Sequence, residues 1–131
     1  MMLACVWKAY ADDLPANLVK NALSISGLYD LEPLRHAPAV KDSLKLTPAQ
    51  VRKASPALLP APRKGVLYSV AGGNESAEFL RHNLMIQKAW GNKTVPVCEA
   101  LPGLHHFSVL DALIDPAHRL HGLAQQLIAK A

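Results

Sequence analysis

The chain has 131 residues, half of them apolar, with 18% charged and a formal net charge of +4. That suffices for one hydrophobic core and about one domain. The 14 basic residues, among them Lys8, Lys20, Arg35, Lys53, Arg63, Arg81, Lys93 and Arg119, are scattered and form no stripe that a phosphate backbone could follow, so no nucleic-acid partner is expected.

The opening "MMLACVWKAY" places Met1, Met2, Leu3, Cys5, Val6 and Trp7 close together before Lys8. It is too short for a membrane span and lacks the basic start of a secretory signal. It reads instead as the last turns of a buried helix without a start signal, so the expectation is that something upstream is missing. Cys5 and Cys98 fit no CxxC pattern, which points to reduced thiols and a cytoplasmic location.

After Pro15, residues 19–27 ("VKNALSISG") read as a strand closed by Gly27. Residues 28–64 hold six of the ten prolines (Pro33, Pro38, Pro48, Pro56, Pro60, Pro62) and read as a lid-like surface excursion. Its clearest helix starts at Thr47-Pro48 and stops at Ser55-Pro56, an N-cap followed by proline at the first helical position. Residues 65–73 ("GVLYSVAGG") form a continuous apolar run, as strands do when both faces of a parallel sheet are covered.

A helix over 76–91 follows, with Ser76 as its cap, Phe79, Leu80, Met85, Ile86, Ala89 and Trp90 on one broad face, and Gly91 as its stop. Residues 94–103 read as a third strand, at a sheet edge because Pro96 cannot donate to a ladder. Residues 106–116 read as a short helix with Phe107, Leu110, Leu113 and Ile114 inward, and a last helix closes the chain. Strands separated by helices imply an α/β fold with about three parallel strands.

Ligands in open parallel sheets gather at the carboxyl ends of the strands. Those ends carry Tyr29 and Asp30, then Glu75, then His105 and His106. A carboxylate followed 31 positions later by a histidine, each on its own strand end, matches the back half of the Ser, Asp/Glu, His order of α/β-hydrolases. His106 would take a proton from a nucleophile while Glu75 holds the other ring nitrogen. The pair His118 and His121 has no third ligand spaced to help, so a solvated face is expected and no metal.

Four blocks, "ISGLYDLEPL" (25–34), "LKLTPAQVRKASPALL" (44–59), "GGNESAEFLRH" (72–82) and "LPGLHHFSVLDAL" (101–113), together resemble the C-terminal half of the kynurenine formamidase (arylformamidase) group of α/β-hydrolases. The resemblance covers about residues 1–120 and implies that 1–131 is the C-terminal portion of an α/β-hydrolase domain with a partial hydrolase fold; no cofactor is expected. It makes Glu75 the triad acid and His106 the triad base, and sets Tyr29 and Asp30 in the substrate-binding wall. Asn74 stands where a second acid is common and His105 where Asn or Asp is usual, so either adjacent histidine could face inward, with Phe107 favouring His106.

The family's G-x-S-x-G elbow and HGG oxyanion loop do not occur in this sequence. The expected partner is a small acyl amide or ester, handled only when a nucleophile is supplied. Strand 19–27 is expected to be an exposed edge open to self-association. Two other readings stay open: an interaction module without catalysis, and an unrelated small-ligand-binding α/β domain.

Overall fold

The computed structural model describes residues 19–130; the helical remnant expected at the N-terminus, with Cys5 and Trp7, lies outside the described residues. Three strands, β1 (Ala22–Ile25), β2 (Leu67–Gly72) and β3 (Val97–Leu101), form one parallel sheet in the order β1-β2-β3. The middle strand is buried along its whole length, as its unbroken apolar run requires when helices cover both faces.

Each strand is shorter than its apolar run. Pairing starts at Ala22, whose N–H reaches the Val66 carbonyl, and the Asn21 amide oxygen accepts from the Val66 N–H. Its last ladder bond is from the Ser26 N–H to the Val70 carbonyl, and there Ser26 turns to a φ of 52°, outside the strand region. Pro96 falls just before β3, which lies at one edge of the sheet, and β1 forms the other among the described residues.

The helices are α1 (Lys41–Leu44), α2 (Pro48–Ala54), α3 (Ala77–Thr94), α4 (Ser108–Ile114) and α5 (Arg119–Ala129). Alternate residues of β2 face opposite layers. Tyr68 and Val70 pack with Leu101 and with Val109, Leu120, Leu123 and Leu127 of α4 and α5. Leu67 joins Tyr29, Val95 and α3's Ile86 and Trp90.

α3 buries His82, Ile86 and Trp90, a stripe at i, i+4 and i+8, together with Asn83. Ala89, expected inward, is exposed on the flank of that stripe, and Ser76 occupies the cap position without a side-chain cap bond. Gly91 breaks the helix at a φ of 75°, a backbone state that glycine enters without steric cost.

The expected inward face of α4 is corrected more sharply. Leu113 packs against the core as expected and Val109 and Ala112 are buried, whereas Phe107, Leu110 and Ile114 are exposed. The segment is apolar on nearly every side, so periodicity cannot choose its buried face. The buried side is the one that meets the sheet and α5, where Val109 and Ala112 join Tyr68, Val70, Leu120 and Leu123.

The proline-rich excursion divides into two parts. Residues 41–45 of its tip are all exposed. Its return is pinned: Thr47 and Gln50 form a reciprocal capping box on α2, and Val51 and Ser55 are buried. The Ser55 hydroxyl accepts from the Leu31 N–H, and the Trp90 indole donates to the Pro56 and Leu59 carbonyls. No helix among the described residues is long and apolar enough to cross a membrane.

Candidate active site

The carboxyl ends of β1, β2 and β3 meet in one place because the loop after β3 folds back over the end of β2. The Gly73 N–H donates to the Leu101 carbonyl (2.7 Å) and the Asn74 N–H to the Leu104 carbonyl (2.9 Å). A Cβ on Gly72 would stand 2.4 Å from the Leu104 oxygen, so a residue without a side chain is what permits this crossing. The "GG" of the sequence thus sets how near the third strand end comes to the second.

That crossing brings His106 Nδ1 to 2.7 Å from Glu75 Oε2. The Glu75 side chain is fully buried, whereas 47% of the His106 side chain is exposed. The imidazole stacks on Phe79, with ring centroids 4.6 Å apart, and Phe107 meets it edge-on at 5.4 Å. His106 is therefore held by one ring nitrogen and two aromatic rings, and its Nε2 has no hydrogen-bond partner among the described residues.

Which adjacent histidine pairs with the acid follows from the same contacts. His105 Nδ1 accepts from the Phe107 and Ser108 backbone N–H groups, and its own N–H donates to the Ser108 hydroxyl. It organises the first turn of α4 from the surface, and His106 alone reaches Glu75.

Glu75 has two further donors: the Ser26 hydroxyl and the Gly72 N–H (2.7 Å) both reach Oε1. Burial pushes its carboxyl up, but the bonds from Ser26, Gly72 and His106 outweigh it, and the pKa lies below the ordinary carboxylate value. The acid is thus ionised at neutral pH inside a closed shell of donors. This is the state in which it can hold a neutral imidazole in the Nδ1–H tautomer and stabilise an imidazolium.

Tyr29 and Asp30, expected in the substrate-binding wall, follow the end of β1. The Tyr29 ring lies in the core with Leu67, Ile86 and Trp90. Its hydroxyl is 2.6 Å from Ser24 Oγ and 2.9 Å from Ser69 Oγ. Asp30 Oδ1 accepts from the Glu32 N–H, an Asx turn that starts the excursion. Both residues shape the backbone beside the site; Tyr29 does so from beneath it.

Ser26 and Phe79 are the contributors that sequence reasoning missed. Phe79 is half-buried and stands three residues before His82, less than one turn of α3, beside the buried stripe. Ser26 is 49 positions from Glu75, and no spacing rule joins them.

Elsewhere, His118 caps α5 by accepting from the Leu120 N–H, and His121 Nδ1 bonds the Leu113 carbonyl. Among the described residues no three His, Cys, Asp or Glu side chains gather as a metal site. Cys98 is a free, half-buried thiol whose pKa burial pushes up. A cleft of about 500 Å³ lies between the start of β1 and α5, lined by Ala22, Leu23, Leu127 and Ile128 among others. It is at the opposite end of the strands from Glu75 and His106.

No family model matches the sequence. The whole chain aligns, over 138 residues at 29% identity, with the kynurenine formamidase of Danio rerio, and it spans 45% of that protein. With an α/β sheet whose strand ends carry the Glu75 and His106 contact, the similarity supports a distant, hydrolase-like relation across less than half of that relative's length.

Proposed function

We propose that this chain supplies the acid and base of a serine-type hydrolase whose nucleophile lies outside the sequence. The substrate class is aryl formamides of the N-formylkynurenine kind, or short-chain carboxylic esters. The observation that carries the proposal is the 2.7 Å contact between His106 Nδ1 and Glu75 Oε2, with Nε2 left open. The alignment with a kynurenine formamidase supports the choice of substrate class.

In the proposed reaction His106 Nε2 accepts the proton of a serine hydroxyl as its oxygen bonds to the acyl carbon. The imidazolium then gives that proton to the departing amine or alkoxide, the acyl–heteroatom bond breaks, and water repeats the sequence to free the acid. Glu75 stays ionised throughout and holds the ring.

The test extends the coding sequence upstream in frame. The expected result is a G-x-S-x-G motif there, and an extended protein that hydrolyses N-formylkynurenine or p-nitrophenyl acetate where the present chain does not. In that protein E75Q should lower kcat by about 10⁴-fold and H106A by about 10⁶-fold. An upstream sequence without the motif, or turnover that survives H106A, would overturn the proposal. Complete inactivity of the extended protein would favour an interaction module, for which the relevant observations are the position of β1 at the sheet edge among the described residues and its neighbouring cleft.

A further inference from the structure

The chain's two non-glycine residues with positive φ among those described are Lys45 and Ser26. Lys45 ends α1 as a left-handed cap, a common place for that conformation. Ser26 has no helix to end. It follows β1 directly, its N–H continues the ladder to the Val70 carbonyl (2.8 Å), and Gly27 stands next to it. A glycine is thus available one residue later, yet the positive φ falls on a residue that bears a hydroxyl. Backbone states of this kind cost energy and persist where the surroundings over-determine them.

The hydroxyl's bond shows what the turn achieves. Ser26 Oγ donates to Glu75 Oε1 at 2.5 Å, and the Gly72 N–H reaches the same oxygen. With both donors on Oε1, Oε2 is the oxygen that meets His106. His106 is also the one titratable side chain in contact with Glu75 among the described residues.

We propose that Ser26 is a positioning residue that orients the Glu75 carboxylate toward His106. The inference rests on the acid and base reading given above and deepens it. Ser26 is not assigned the nucleophile's part: its hydroxyl is committed to the acid rather than to the base.

NMR on the full chain tests this with two separate readouts. The first is the titration of the Glu75 carboxyl carbon; the second is the downfield Nδ1–H proton and nitrogen shifts of His106. A hydroxyl that donates to a carboxylate favours its charged form, so S26A and S26G should both move the Glu75 midpoint upward, toward the ordinary carboxylate value. Both should also weaken the His106 Nδ1–H signal. S26G removes the hydroxyl at a residue for which positive φ is free of strain, so it answers the question even where S26A folds poorly. E75Q is the control for the pair. A His106 Nδ1–H signal unchanged in E75Q overturns the pairing itself. A signal lost in E75Q, together with an unmoved Glu75 midpoint in S26A and S26G, leaves the pair standing and overturns the role of Ser26.

Discussion

Toward α4 and α5 the sheet presents Tyr68, Val70 and Leu101, which meet leucines and a valine. Toward α3 it presents Ser69 beside Leu67, and Ser69 hydrogen-bonds to Asn83 (2.6 Å), whose amide donates to the Glu99 carbonyl (3.0 Å). Tyr29 extends that chain to Ser24, so polar side chains connect β1, β2, α3 and β3 on this face. One further buried polar group, His82, accepts from the Tyr29 N–H (2.9 Å) and has its other nitrogen 3.1 Å from Glu78. The apolar face can be filled in many ways at similar cost, whereas a buried polar chain is satisfied only in one register. The polar face also holds the backbone at residues 29 and 30, beside the rim where Ser26 meets Glu75.

The comparison breaks most visibly with one truncation on each side. Leu123 is fully buried, and L123A should cost about 2–5 kcal/mol by lost transfer energy and the cavity left behind. Urea unfolding measures that loss, and the Glu75 titration should remain as in the wild type. H82A leaves the Tyr29 and Asp30 N–H groups without their acceptor, a cost of about 1–3 kcal/mol for a buried donor left unpaired. Its distinguishing sign is local: amide hydrogen exchange should speed up at Tyr29 and Asp30 beyond the change at Leu67. Uniform acceleration, or an undisturbed Tyr29 amide, would mean that His82 only fills space.

These two faces also differ in how far the sequence reveals them. The apolar run of β2 announces a central, doubly covered strand, and Thr47-Pro48 announces the start of α2, because each signal is local. Glu75 and His106 could be paired in advance because strand ends converge in a parallel sheet. The face of α4 could not be chosen, since the neighbours Val109 and Leu110 are both apolar and only Val109 meets the core. His82 and Asn83 resisted for the opposite reason. Polar residues on a helix are expected in solvent, and their acceptors and donors lie at 52 or 53 and at 14 or 16 positions' distance. What is legible is set by neighbours in the chain; what is not is set by partners that only the fold supplies.

The smallest expected effect separates the faces by pH. Burial raises the Tyr29 phenol above its ordinary pKa of 10.0, and the bonds to Ser24 and Ser69 only partly offset it. Below the unfolded value both states keep the proton. As pH rises past it the unfolded chain ionises first, so the native state binds more protons and stability falls until the folded phenol also ionises. Y29F removes the group and that slope together. Near neutral pH it should cost about 0.5–1.5 kcal/mol for the lost hydrogen bonds. The stability gap between wild type and Y29F should then narrow as pH climbs above 10.0, whereas the gap between wild type and L123A should not respond. The other ionisable groups are common to all three proteins and cancel in these differences. A Y29F gap that stays constant into alkali would place the phenol in contact with water, and the polar chain would then not run unbroken from Ser24 to Asn83.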